Sequence, residues 1–330
     1  MTDVTSTFLQ GQLLDRRGRL QSAISGSRNS ANLVQLLQEV DAALERVERG
    51  TFGICEVCHE PMEADRLLSD PLVRYCLDHL TAQERAALER DLEMAASLQL
   101  GLLPQPETRL DGWEIAYAYR PLGPVSGDYC DLVVEESPER GFFFFVGDVS
   151  GKGVTASMLT SQLHAIFRSL VARHLAVADL VRQASRIFCE SALSPYFATL
   201  VGGRGTASGS LELANAGHCP PLLIRGRTVT RLEASGAPLG MFCDGDYRAE
   251  RIELDPGDQI LIYTDGLSEA RNAEGGEYGE ERVLEGLERR KHQGARALVD
   301  GCLEDLAGFL GRLPLGDDLT VMAIRRAAQA

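Results

Sequence analysis

The sequence predicts an α+β protein: a helical N-terminal region with a small cysteine-bearing module, then a layered domain of short strands and segregated helices. Three observations carry that expectation. Apolar residues recur at helical spacing between residues 7 and 49. From about Gly112 the pattern changes to short stretches with two-residue alternation. The longer helical stretches do not alternate regularly with those strands, which argues for an α+β layered domain and against a doubly wound parallel sheet.

Each element follows from its own pattern. Leu9, Leu13, Leu20 and Ile24 line one helical stretch, and Leu33, Leu36, Leu37, Val40, Leu44 and Val47 line a second. The break Gly26-Ser27-Arg28-Asn29-Ser30 between them predicts an antiparallel helical hairpin. Thr81, with Glu84 three residues on, reads as the capping box of a helix that runs to about Gly101 and stops before Pro104. Leu88, Leu92, Ala95, Gln99 and Leu102 form a short heptad pattern on it, compatible with a paired helix or with one amphipathic helix packed on the next domain. Trp113 to Arg120 and Arg248 to Leu254 read as strands, as do the apolar runs Phe142 to Val146, Gln259 to Ile262 and Leu319 to Ile324. Helices are expected over Val154 to His174, Ala178 to Glu190, Glu280 to Arg290 and Ala295 to Leu310.

Size and charge exclude several classes. The 330 residues suffice for one large domain and a smaller one. No apolar run approaches the roughly 20 residues of a membrane span, and Met1-Thr2-Asp3-Val4 does not begin a secretory signal, so a cytoplasmic protein is expected. The net charge of −15 divides into −6 over residues 1 to 100 and −9 over the rest. Neither part carries the basic excess that would favour nucleic acid or an anionic membrane.

Eight cysteines in such a chain are not expected to form a disulfide framework. Cys130, Cys189, Cys219, Cys243 and Cys302 read as small apolar residues. Cys55-Glu56-Val57-Cys58 and Cys76-Leu77-Asp78-His79 differ. Two knuckles separated by 17 residues present Cys55, Cys58, Cys76 and His79 as a tetrahedral Zn²⁺ set, with His59 as the alternative fourth ligand. The run Ala43 to Cys58, with its Gly50-Thr51-Phe52-Gly53-Ile54-Cys55 turn and the following Glu60-Pro61, resembles the zinc finger of the DksA/TraR family over residues 43 to 79. Members of that family that enter the secondary channel of RNA polymerase carry acidic residues at the hairpin tip. The tip here, Gly26 to Ser30, has no carboxylate.

The most informative stretch is Asp148-Val149-Ser150-Gly151-Lys152-Gly153, a carboxylate at a strand end opening onto a glycine-rich turn. Ser126-Gly127-Asp128, Tyr263-Thr264-Asp265-Gly266 and Gly316-Asp317-Asp318 repeat the theme, an oxygen-rich set suited to hard divalent cations. With Leu98 to Pro104, Ala214-Asn215-Ala216-Gly217-His218, Pro256-Gly257-Asp258 and Asp317-Asp318-Leu319-Thr320, these motifs occur in the order that resembles the PPM-type metal-dependent serine/threonine phosphatases of the SpoIIE/RsbU branch, over about 92 to 325. Ser126 and Cys130 depart from its usual residues.

That resemblance implies a PPM α-β-β-α sandwich, preceded by the helical hairpin, the zinc module and a linker helix. The expected division is 1–80, 81–104 and 105–330. It implies two or more Mn²⁺ or Mg²⁺ ions, with Asp148 bridging two of them, the Val149 carbonyl assisting, Asp128 serving one metal and Asp265 and Asp317 the other. Asp318 is the alternative to Asp317, since neighbouring strand residues face opposite ways. Arg120 and Lys152 are candidates for the substrate phosphate, and His218 for a residue behind the ligands. The implied reaction is hydrolysis of phosphoserine or phosphothreonine on a signalling protein such as an anti-sigma-factor antagonist, regulated through the zinc module, with homodimerisation through the linker helix. The competing reading is a zinc-finger transcription modulator that binds RNA polymerase and keeps the second domain as a non-catalytic scaffold. His218-Cys219 through Arg225 also matches the His-Cys-five-Arg spacing of cysteine-dependent phosphatases. Its two prolines remove donors that a phosphate loop needs, and Leu222 to Ile224 reads as a strand.

Overall fold

The computed structural model describes residues 3–26, 31–63, 67, 70–80, 82–110, 112–135, 141–191 and 196–327. They fall into two compact units, Met1–Asp91 and Leu92–Ala330.

In the first unit, α1 (Asp3–Gly26) and α2 (Ala31–Glu48) bury Leu9, Leu13 and Leu20 with Val40, Ala43 and Leu44. This is the predicted helical pair. Its tip, residues 27–30, lies outside the described residues, as does the expected cap Thr81. The same core continues into Phe52, Cys55, Met62, Leu67 and Cys76, so the cysteine module is packed on the helices. From α2, Arg46 donates to the carbonyls of Val73 (2.8 Å) and Leu72 (3.1 Å), anchoring the approach to the second knuckle.

The helix α3 (Ala82–Leu102) begins in the first unit and ends in the second. The strands that follow are β1 (Glu107–Leu110), β2 (Trp113–Arg120), β3 (Asp128–Val134), β4 (Phe142–Val149), β5 (Ala198–Gly205), β6 (Ser210–Ala216), β7 (Leu222–Arg225), β8 (Thr228–Arg231), β9 (Glu250–Glu253), β10 (Gln259–Tyr263) and β11 (Leu319–Arg326). Between them lie α4 (Gly153–Val171), α5 (Val177–Ser191), the single turn α6 (Asp265–Ser268), α7 (Gly279–Arg290) and α8 (Ala295–Leu310).

The strands form two antiparallel sheets, ordered β1-β2-β11-β10-β7-β8 and β3-β4-β5-β6-β9. Strand alternation builds the layers. Phe142, Phe144 and Val146 point between the sheets, with Trp113, Ile115, Ile260, Ile262, Met322 and Ile324. Phe143, Phe145 and Val149 point the other way, onto α4 and α5 through Phe167, Leu163 and Phe188. Because β4 is covered on both faces, its sequence is a continuous apolar run; each buried Phe contributes about 1.5–3 kcal/mol. The β1-β2-β11-β10-β7-β8 sheet turns Ala118, Leu261, Tyr263 and Val321 onto α7 and α8. The result is the expected α-β-β-α sandwich.

Two elements are shorter than expected. The strand predicted over Arg248 to Leu254 is limited to Glu250–Glu253, because it is an edge strand paired only with Ser210–Leu213. The helix predicted to reach His174 ends at Val171; His174 has φ 51° and cannot continue it.

Candidate metal and catalytic site

The site lies where the ends of β3 and β4 meet the end of β10 and the start of β11. Asp128 and Asp148 are direct partners in the β3/β4 ladder. The Asp148 turn is fastened on both sides. Val149 N–H donates to Gly127 O (3.1 Å), Ser150 N–H to Phe197 O (2.9 Å), and Phe197 N–H back to Ser150 Oγ (3.0 Å). Gly151 and Gly153, with φ of 102° and 67°, adopt conformations that other residues reach only with strain, and so return the chain into α4.

The other sheet, through the ends of β10 and β11, reaches across to this pair. Thr264 Oγ1 (3.0 Å) and Thr320 Oγ1 (2.6 Å) both donate to Asp128 Oδ2, while Thr320 N–H donates to Thr264 Oγ1 (2.9 Å). Asp318 accepts from Leu122 N–H (2.7 Å) and Gly127 N–H (2.8 Å), one on each carboxylate oxygen. Its carboxylate is therefore occupied in fixing loops. Asp317 is exposed and lines a groove of about 430 Å³ with Asp265 and Glu269. Gly266 lets this edge close up: a Cβ there would stand 1.9 Å from the Asp318 carbonyl oxygen.

The electrostatics are those of uncompensated acid. Burial, and then Asp265, Asp317 and Asp318, push the Asp148 carboxyl up to about 7. Burial raises Asp128 well above its ordinary range, opposed by the Thr320 hydroxyl. Asp265 is raised by burial and by Glu269 and Asp317. Such a set gains most from bound cations, which replace the missing counter-charge.

Among the described residues, Cys55, Cys58, Cys76 and His79 bring their donor atoms within 4.8 Å of one another. Cys58 Sγ and Cys76 Sγ are 3.8 Å apart, and His79 Nδ1 is 3.1 Å from Cys76 Sγ and 3.9 Å from Cys55 Sγ. Zn–S bonds of about 2.3 Å in a tetrahedron place sulfurs about 3.8 Å apart, so the set fits Zn²⁺. His59, the alternative ligand, is exposed and outside the cluster.

Several residues of the site were not assigned a role from the sequence. Thr264 and Thr320 stand inside the recognised motifs, yet only the folded structure shows their hydroxyls meeting on Asp128. Gln99, read as a heptad position, is buried instead against the site: its Nε2 donates to Ser126 O (2.7 Å) and its Oε1 accepts from Ser126 N–H (2.9 Å). His218 is buried, its Nδ1 2.8 Å from Thr199 Oγ1, which lies 3.4 Å from the Asp148 carbonyl. Burial lowers this imidazole to about 4, so it stands neutral behind the turn. Arg120 and Lys152 are both exposed. The cysteine-phosphatase spacing is not a site: Leu222–Arg225 is strand β7, Arg225 is held by Asp258 and the Glu253 carbonyl, and burial pushes Cys219 up to about 12. Cys189 and Cys243, read as apolar singletons, are joined in a disulfide with Cα atoms 5.3 Å apart. A sequence separation of 54 hid that pairing.

The family profile described as Stage II sporulation protein E (SpoIIE) matches residues 138–327. The chain is 26% identical over 243 residues to phosphoserine phosphatase RsbU of Bacillus subtilis, covering 72% of this chain and 71% of that protein. It is 24% identical over 265 residues to protein IcfG of Synechocystis, covering 72% of this chain but only 41% of IcfG. Among solved structures, the SiaA-PP2C domain of Pseudomonas aeruginosa superposes with a TM-score of 0.60 at 23% identity, over 74% of this chain and 99% of that one. The RsbU and RsbW domains of a Mycobacterium tuberculosis protein give a TM-score of 0.56 at 28% identity, over 69% of this chain and 62% of that one.

Proposed function

The chain belongs to the Stage II sporulation protein E (SpoIIE) family, and we propose that it is a metal-dependent phosphatase acting on phosphoserine or phosphothreonine of a signalling protein. The observation that carries this reading is the pairing of Asp128 with Asp148 on adjacent strands beside Asp265, just after β10, and Asp317, just before β11, whose charges both act on Asp148. Two Mn²⁺ or Mg²⁺ ions held there would supply an activated water and neutralise the phosphoryl oxygens. Asp148, whose carboxyl feels Asp265 and Asp317, is the proposed bridging ligand, with the Val149 carbonyl beside it. Asp128 is oriented for one ion by Thr264 and Thr320, and Asp265 and Asp317 serve the other. Asp317 is preferred to Asp318, whose oxygens already accept two backbone N–H groups. Phosphoserine phosphatases RsbU and RsbP among the relatives support the substrate class, and an anti-sigma-factor antagonist is the specific substrate we propose.

The proposed organisation is a regulatory module over 1–80 with a structural Zn²⁺ on Cys55, Cys58, Cys76 and His79, a linker helix over 81–104 and a catalytic domain over 105–330. Homodimerisation through the linker is part of the proposal, and of its heptad positions Leu88 is exposed on α3. A polymerase-binding protein with a silent scaffold is not favoured, since it gives no reason to keep four acidic groups at a destabilising separation. Hydrolysis of p-nitrophenyl phosphate and of a phosphoserine protein, with Mn²⁺ and with chelator, tests the proposal. Asp148→Asn is expected to lower turnover by at least about a hundredfold while the fold is kept. Full activity in that variant, or activity indifferent to chelator, would overturn it.

A further inference from the structure

We infer that Cys189 and Cys243 are a reversible thiol–disulfide modification site, oxidised by a peroxide and reduced by a dithiol, whose state is felt at the Asp148 turn. Cys189 lies in the last turns of α5 and is half-buried, while Cys243 is exposed in the segment between β8 and β9. Their Cα separation of 5.3 Å is in the range that a disulfide spans without moving the backbone. The other cysteines are set apart from this chemistry. Cys55, Cys58 and Cys76 belong to the zinc cluster, Cys130 and Cys302 are buried, and Cys219 is half-buried without a sulfur partner in a bond.

The segment that carries Cys243 reaches the catalytic turn through a short series of hydrogen bonds. It is held on α5 by Ser185 Oγ, which accepts from Gly240 N–H (3.2 Å) and Tyr247 Oη (2.9 Å). Leu239 exchanges two bonds with Ala198, at 2.7 and 2.9 Å. Ala198 is the ladder partner of Val149, and its neighbour Phe197 exchanges bonds with Ser150. Met241 and Phe242, beside Cys243, are exposed and give this tip little packing of its own. The covalent bond to α5 adds to the Ser185 contacts and the Arg182–Asp246 ion pair as a restraint on the tip, and its loss loosens the strand edge on which the Asp148 turn is hung.

The chemistry balances with two thiols and one peroxide. The exposed Cys243, as thiolate, attacks a peroxide oxygen, breaking the O–O bond and leaving Cys243 sulfenic acid with release of water or alcohol after protonation. The Cys189 sulfur then attacks that sulfur; the S–S bond forms, hydroxide leaves and takes up the second proton as water. A dithiol reverses the step through a mixed disulfide and is itself oxidised.

The test uses the full chain, equilibrated with graded peroxide or dithiothreitol, alkylated, and read by peptide mass alongside hydrogen exchange and thermal melting. The linked Cys189/Cys243 peptide should appear and disappear reversibly without unfolding. Oxidation should raise the melting temperature by about 5 °C and slow exchange in residues 236–249 and 147–151. The Mn²⁺ concentration for half-maximal turnover should fall about threefold, at the low end of couplings carried by packed networks. Cys243→Ser, which leaves the zinc ligands intact, should abolish all of these responses. The inference is overturned if the pair is never linked short of sulfinic acid, if excess dithiothreitol cannot open it in the folded protein, or if Cys243→Ser responds to peroxide as the parent does. It is equally overturned if the link forms and neither exchange nor melting changes. Mass, exchange and melting decide the matter even if the protein hydrolyses no phosphate ester, so this inference and the proposed activity fail separately.

Discussion

Asp128 accepts both threonine hydroxyls on Oδ2 and so depends on a sheet to which it does not belong. Thr320→Val keeps the shape and removes the shorter of these bonds, which contributes about 1–3 kcal/mol when one partner is a buried carboxylate. We expect Mn²⁺ affinity to fall about tenfold, as for the loss of an orienting partner of a ligand, measured by calorimetric titration beside denaturant unfolding. An unchanged affinity would show that the Thr320 hydroxyl does not orient Asp128 for the metal. The Asp148 carboxyl yields a pH prediction. Its folded value of about 7 stands above the ordinary 3.8, so below pH 4 it is protonated in both states and costs nothing. As pH rises from about 3.8 to about 7 the unfolded carboxyl ionises while the folded one is held protonated, and stability falls. The chelated protein should therefore melt lower at pH 7.5 than at pH 5, and Asp148→Asn should flatten the difference. Protons and cations compete for the same oxygens, so the Mn²⁺ requirement should rise below pH 7. A melting profile in Asp148→Asn as steep as the parent's would assign the effect elsewhere.

The zinc module and the end of α3 show how single elements depend on a few contacts. Cys55 and Cys76 are part of the same core as Leu9, Val40 and Phe52, so loss of the proposed zinc would disturb the helical pair as well as the knuckles. Cys55→Ser is expected to lose the one tightly held zinc and to speed hydrogen exchange over residues 50–63, because so small a unit gains much of its stability from its metal. Elemental analysis that finds equal zinc in the variant would refute the ligand set. Near the end of α3, Gln99 is the decisive residue. Read as a heptad amide, Gln99→Leu should tighten a helical seam. In the structure the same change strips Ser126 of both backbone partners, two residues before Asp128, leaving a buried N–H and a buried C=O unpaired. We expect Gln99→Leu to cost about 2–4 kcal/mol in stability and to weaken Mn²⁺ binding, with Gln99→Glu recovering at most the acceptor half. Tighter assembly with unaltered metal binding would restore the heptad reading.

At the scale of the whole molecule, the division at Leu92 predicts that a truncated chain of residues 92–330, which retains Gln99, folds alone and hydrolyses p-nitrophenyl phosphate with Mn²⁺; failure to melt cooperatively would show that the first unit is needed for folding. The sequence by itself determined much of this architecture, because its signals are local. Helix and strand periods, the paired knuckles and the acidic turns each depend on residues within a few positions of one another, and the phenylalanine run of β4 marked a strand, whose cover on both faces the packing then supplied. Only the tertiary structure decided which groups meet across the two sheets. Asp317 and Asp318 are neighbours of the same type, separated by the backbone N–H groups that claim the second. Thr264 and Thr320 converge on Asp128 from 136 and 192 residues away, Gln99 turns inward to Ser126, and Cys189 finds Cys243. Those contacts are set by how two sheets and their covering helices pack. Packing leaves no period in a sequence, since any residue of suitable size satisfies it until the partner is known.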